Sequence, residues 1–460
     1  MKSPAVSARP TAPAGISSAD APALDLPARF MALGMLGLLA LALSGPWTLP
    51  LLLGKVYDHR LVAFVHLNTL GVIGAMIIGA SYQLVPVVLQ TPLASVRAAR
   101  LSFWLYLGGL VALLAGFVWS WPPVLALGGT LLTLGFGLYV GVIAVTQRRA
   151  LDRGVAAWHV AVGLVNVTAA VALAVLLAFN ESGRFLGPLG QRLLAAHVTL
   201  MLGGWVGVTF FGVAYRLIGM FTLAEDRLWV PGAWLGLGLT TLGTWVLAVS
   251  LAAGLGEAGS LVGAFGLLAG FGLFEWQIVH LYAGRRRRGP DVHIPYVLAG
   301  STFGLIATGL LLLGLAQGLG PRSPLWVAVG WLAIAGLAET VIQGFFYKIA
   351  TFLVWLRRYA PVAGRQRVPK LEELYGQRIA LLGWGLWSLG IALSTGAVAL
   401  ASVGLIYVGV GFLGAGLACF LANVVRIGSH WWRPVAPVGG ARSPGGAQAL
   451  RRSHREVAGP

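Results

Sequence analysis

Two histidines, His66 and His197, stand inside long apolar stretches, where an ionisable side chain is costly and usually functional. Neutral imidazole is a common ligand of heme iron and of copper, so both are candidate cofactor-binding residues. The competing reading is a histidine hydrogen-bonded to a neighbouring helix, with Asn68 or Thr199 supplying local polarity. Two carboxyl groups are placed similarly. Glu339 falls midway along an apolar stretch with Gln343 one helical turn on, and Glu275 lies toward the end of another, followed by Trp276 and Gln277. A carboxyl at such depth must be protonated, paired or facing water. Glu339 and Glu275 are therefore candidate proton-relay groups or members of interhelical hydrogen bonds. The single cysteine, Cys419, excludes an intrachain disulfide and any multi-thiolate metal site. Nothing resembles a P-loop, a dinucleotide fingerprint, a CxxC pair or a Ser-His-Asp arrangement.

The elements that must hold these residues follow from composition. Of 460 residues, 58% are hydrophobic and only 10% charged, with a mean hydropathy of +0.83, which is too little charge to cover a soluble surface. About 20 apolar residues span the hydrocarbon as a helix. Twelve runs qualify: 28–53, 61–89, 98–119, 122–146, 155–179, 189–222, 230–254, 258–284, 291–318, 325–356, 378–401 and 403–428. The chain is thus expected to be an all-α integral membrane protein with a twelve-helix membrane domain over 28–430. An Ala-, Pro- and Ser-rich arm over 1–27 and a basic tail over 431–460 are expected to be disordered. The first run is too long for a typical secretory signal core and is expected to persist as the first helix.

The net charge of +18 invites a nucleic-acid reading, but its distribution follows the topology instead. Of the 32 Lys and Arg, 25 fall in the two termini and in the loops after even-numbered runs, while 5 fall in the opposite loops and Arg216 and Lys348 lie within runs. By the positive-inside rule this bias puts both termini in the cytoplasm of a multi-pass plasma-membrane protein, with anionic lipid rather than nucleic acid as the partner of the basic face.

Three stretches in the second, sixth and tenth runs read alike: Gly79-Ala-Ser-Tyr82-Gln-Leu, Gly212-Val-Ala-Tyr215-Arg-Leu and Gly344-Phe-Phe-Tyr347-Lys-Ile. Tyr82, Tyr215 and Tyr347 are spaced by 133 and 132 residues, and His66 and His197 precede their repeat glycines by 13 and 15. Constant spacing marks structural repetition, here three groups of four helices. Gly at these positions permits close helix approach, and Tyr with Gln, Arg or Lys is expected to anchor each helix at the inner interface. His159, His280 and His293, beside arginine clusters, read as interfacial.

Twelve helices in three four-helix arcs with pseudo-threefold symmetry and both termini inside resemble subunit I of the heme-copper oxidase superfamily, which includes nitric oxide reductases. His66-Leu-Asn-Thr and Ala196-His197-Val-Thr-Leu-Met-Leu-Gly203-Gly-Trp205 resemble the ligand-bearing second and sixth helices of that family, and Tyr347-Lys-Ile-Ala-Thr-Phe-Leu-Val-Trp355 resembles the end of the tenth helix in divergent members. The resemblance implies a respiratory, heme-binding oxidoreductase, with His66 matching a heme ligand and His197 a copper ligand, and with other respiratory-complex subunits or a cytochrome or cupredoxin donor as partners. The departures are equally informative. The family pattern places two adjacent histidines in the seventh helix and His-x-His in the tenth, yet residues 230–254 and 325–356 contain no histidine. The resemblance therefore implies a divergent relative that lacks most metal ligands and serves electron transfer, or heme, copper or nitric oxide handling, rather than full oxygen reduction. The alternative is a metal-free transporter or structural subunit on the same scaffold.

The charge bias makes the topology testable. Reporters fused within loop 285–290 and after Pro460 are expected to read cytoplasmic, and one in loop 180–190 external; an external signal from the loop containing Arg285 to Arg288 refutes the orientation.

Overall fold

The computed structural model describes residues 24–54, 58–151, 153–286 and 291–433. The expected terminal segments lie almost wholly outside these residues. Among the described residues, twelve helices are long and apolar enough to cross a membrane: α1 (Asp25–Leu53), α2 (His59–Val88), α3 (Val96–Val118), α4 (Pro122–Arg149), α5 (Val155–Gly183), α6 (Leu189–Thr222), α7 (Val230–Ala253), α8 (Glu257–Ala283), α9 (His293–Ala316), α10 (Pro324–Arg358), α11 (Gln377–Ala399) and α12 (Val403–Ser429). Each begins and ends close to its expected position. Helix α1 begins at Asp25, which supplies a carboxylate to the first turn and pairs with Arg29 and Arg100. Among the described residues there is no named strand, only an isolated bridge between Ala363 and Gln366.

The spans α2, α6 and α10 are the most buried of the twelve. Around them, the tightest pairs are α3 with α4, α7 with α8 and α11 with α12, while α4 touches α5, α8 touches α9 and α12 returns to α1. The three tight pairs cross through the same glycine device. A methyl group on Gly109 would lie 2.6 Å from the Leu132 nitrogen, one on Gly243 2.6 Å from that of Leu267, and one on Gly390 2.7 Å from that of Leu413. Gly128, Gly263 and Gly409 face back from the partner helices onto Leu113, Leu247 and Ser394. Lipid tails are as apolar as leucine, so helices associate in the bilayer through this close backbone contact rather than by hydrophobic exclusion.

The central helices share a second feature. Each widens into π-helix midway, over Leu67–Gly74 in α2, Leu200–Gly207 in α6 and Leu332–Glu339 in α10. These bulges begin 133 and 132 residues apart, the spacing of the repeat tyrosines. A π-turn disturbs the regular carbonyl ladder, and carbonyls in all three bulges accept a side-chain hydrogen bond. The Tyr106 hydroxyl donates to Leu70 O at 2.7 Å, Asn166 Nδ2 to Gly204 O at 2.8 Å, and Thr340 Oγ1 to Ala335 O at 3.0 Å. The bulge in α10 touches both of the others, so the three distortions meet in the interior.

The glycine crossings predict a graded mutational response. Gly128→Ala places its methyl against the Leu113 backbone, whereas Gly137 faces open space. Overpacking a close contact costs about 1–3 kcal/mol, so thermal unfolding in detergent should show a lowered Tm for Gly128→Ala and for Gly263→Ala, and an unchanged Tm for Gly137→Ala.

Candidate functional site

The three residues singled out for chemistry in the central helices lie at the edges of the bulges. His66 immediately precedes the bulge of α2, His197 lies three residues before that of α6, and Glu339 is the last residue of that of α10. The two histidines thus sit at one end of the distorted zone and Glu339 at the other, roughly 10 Å further along at helical rise.

His66 Nδ1 contacts Val62 O at 2.8 Å, and His197 Nδ1 contacts Ala170 O of α5 at 2.9 Å. Because a carbonyl only accepts, Nδ1 must carry the proton in both rings, which leaves the Nε2 lone pair for a ligand. Orientation of a ligating imidazole by a backbone carbonyl is the usual arrangement at metal sites. Neither ring bonds Asn68 or Thr199: the Thr199 hydroxyl goes to Ala195 O, and Asn68 Oδ1 is buried without a partner. The His66 ring stacks on Phe117 with centroids 5.1 Å apart and planes at 27°. The two imidazoles, brought from different helices, lie within Coulombic range of each other.

This donor set has a defined capacity. Among the described residues no three His, Cys, Asp or Glu side chains come together as a metal cluster. A four-coordinate structural zinc site needs more protein ligands than two imidazoles. Two neutral imidazole nitrogens are donors of the kind that ligate heme iron and copper.

The carboxyl candidates differ from each other. Glu275 Oε1 accepts a hydrogen bond from Thr302 of α9 at 3.1 Å, the interhelical bond given above as its alternative role, while its Oε2 is buried without a partner. Glu339 is 2% exposed, Gln343 is 1% exposed, and Glu339 Oε1 and both Gln343 side-chain polar atoms have no hydrogen-bond partner.

The repeat residues form three aromatic hubs. A methyl on Gly79 would meet Phe30 Cβ at 2.8 Å, on Gly212 His159 Cβ at 2.5 Å and on Gly344 Tyr296 Cβ at 2.6 Å. Each following tyrosine then packs between that ring and one from the fourth helix of its group. Tyr82 lies 5.8 Å from Phe30 and 5.7 Å from Tyr139, Tyr215 lies 5.6 Å from His159 and 5.3 Å from Phe274, and Tyr347 lies 5.8 Å from Tyr296 and 5.5 Å from Phe420. The tyrosines are buried, and each hydroxyl finds a partner inside: Ser102, Gln277 and Asn423 respectively. His159 and His293 are likewise buried. His280 does lie at the surface, stacked on Trp276. His430, to which the sequence assigned no role, is buried against the Tyr359 hydroxyl at 2.8 Å.

At the basic end, Lys348 forms a largely buried ion pair with Asp291 at 2.5 Å and lies 4.7 Å above the Phe221 ring, while His293 Nδ1 contacts the other Asp291 oxygen. Burial alone would raise the Asp291 pKa, but the His293 hydrogen bond and the Lys348 charge prevail and hold it down at about 2.

No protein-family model and no curated protein matches this chain.

The Asp291 pair yields a pH prediction. Its folded pKa is depressed from 3.8 to about 2, so its contribution is fully present above pH ~4 and disappears as pH falls toward ~2. Asp291→Asn leaves Lys348 buried without its counter-charge and should destabilise the protein by about 3 kcal/mol at neutral pH. Thermal unfolding from pH 6 to 2 should show a steeper acid loss in the wild type than in Asp291→Asn.

Proposed function

We propose that this chain is a membrane-embedded heme-binding redox protein, with His66 and His197 as the ligands and with the three-arc scaffold of the heme-copper oxidase large subunit. The observation that carries the reading is the pair of carbonyl-oriented imidazoles from α2 and α6, both with Nε2 available for a metal. The recurring bulges, glycine crossings and aromatic hubs support three groups of four helices. Bound heme supplies a one-electron couple. The chain's own contribution is to fix both rings in one tautomer, to cover His66 with Phe117 and to surround the site with helices. Without further histidines in α7 and α10, the protein serves electron transfer or the handling of heme, copper or nitric oxide rather than oxygen reduction. The basic face lies in the cytoplasm of the plasma membrane, so the histidines lie toward the outer side, where a cytochrome or cupredoxin donor would dock.

A second reading, a metal-free proton-coupled transporter, is favoured by one observation, the partnerless Glu339 and Gln343 in the interior.

The two readings separate in a spectrum. Purified protein should show a Soret band and a pyridine hemochrome. His66→Ala should abolish or shift the band, His197→Ala should change the same site or a copper signal, and oxygen reductase activity should be negligible. A colourless protein with solute uptake dependent on Glu339 establishes the transporter instead, and full heme occupancy in the double mutant eliminates both residues as required ligands.

A further inference from the structure

From the polar atoms left over in α10, we infer that Glu339 and Gln343 form an intramembrane site that holds one water molecule and one proton. This site is independent of whether the histidines bind heme.

Glu339 ends the α10 bulge and Gln343 follows one turn later, both essentially inaccessible from outside. Side chains four residues apart on a helix stand over one another, with Cβ atoms about 5–6 Å apart. They nevertheless make no direct hydrogen bond, and Glu339 Oε1, Gln343 Oε1 and Gln343 Nε2 are all enclosed and partnerless. Such atoms are costly when left unsatisfied. The bulge offers no substitute, since the Ala335 carbonyl is taken by Thr340, whose hydroxyl also accepts from Trp387 Nε1 at 3.0 Å.

The composition of the vacant atoms selects the occupant. A metal cation would bind the two oxygens and leave the Gln343 amide nitrogen, a pure donor, without a partner. Water donates and accepts. One molecule between the two side chains accepts from Gln343 Nε2 and completes the remaining bonds with an oxygen of each residue, within the two to four polar partners that a buried water requires. Glu339 forms no ion pair among the described residues. An unpaired carboxylate is far costlier in hydrocarbon than a carboxylic acid, so the group carries a proton and is itself a donor to the water. The arrangement is a proton-holding site on a central helix, about midway between Pro324 and Arg358.

Infrared difference spectroscopy tests this on the full chain in an ester-free maltoside detergent, comparing H2O with D2O at neutral pH. Wild type should show the C=O stretch of a protonated carboxyl that shifts on deuteration. The band should vanish in the near-isosteric Glu339→Gln, persist in Glu275→Gln, and move in frequency in Gln343→Leu, with Gln343→Met as the variant of similar length should the leucine form fail to elute as a monodisperse species. A Glu339→Gln spectrum identical to wild type overturns the proposal, as does an unmoved band in the folded Gln343 variant. Loss of the band on adding sodium chloride, against an equal concentration of choline chloride, would overturn it in favour of a sodium site.

Discussion

A backbone amide or carbonyl left unpaired in hydrocarbon costs several kcal/mol, and the architecture depends on that constraint. It makes each span a helix and restricts irregular backbone to places enclosed by other helices. The three π-bulges obey it: they occur only in α2, α6 and α10, the most buried spans, and side chains such as Tyr106, Asn166 and Thr340 bond carbonyls within them. The same constraint explains the glycine crossings. With each backbone already satisfied internally, helices gain most by bringing those backbones close, and a residue without Cβ permits it.

The bulges in turn position the chemistry. A π-turn re-aims the side chains next to it, and π-bulges are frequent at functional sites. His66 and His197 flank two of them at one end of the distorted zone, and Glu339 closes the third at the other. Separation along the axis keeps the proposed ligand pair distinct from the proposed proton site. The intervening core includes Trp205, Ile334 and Ala338.

The three similar stretches after Gly79, Gly212 and Gly344 do not share one chemistry. After the hub tyrosine, the chain places Gln83, Arg216 or Lys348. Gln83 is buried, Arg216 reaches outward to Glu225 at 3.4 Å, and Lys348 is drawn inward to Asp291. The hub tolerates all three because the packing load falls on the glycine, the tyrosine and the two rings around it. Hydrogen bonding has diverged too: Gln277 and Asn423 serve the second and third tyrosines from the fourth helix of their groups, whereas Tyr82 turns to Ser102 on the third.

The number of spans and their limits were legible in the sequence because transfer into hydrocarbon depends on local composition, and twelve long apolar runs have no other stable state in water or lipid. The likeness of the stretches at Gly79, Gly212 and Gly344 was legible as a constant spacing, and the π-bulges begin at that same spacing. The burial of the tyrosines, of His159 and of His293 was not legible, because a polar residue near a helix end can face headgroups or a neighbouring helix with the same local sequence. The carbonyl partner of His197 belongs to the same class: Ala170 is unremarkable in sequence, and an acceptor on another helix is chosen by how helices cross, whereas His66 turns back to Val62 O one turn earlier in its own helix. The bulges have no strong local signature beyond their glycines, so only packing against Tyr106, Asn166 and Trp387 distinguishes them from regular helix. What the sequence by itself determined is thus the set of helices and their register. The tertiary structure alone decided which polar atoms find partners and which, at Glu339 and Gln343, are left for a ligand, because satisfaction of a buried group is a property of its neighbours and not of its own segment.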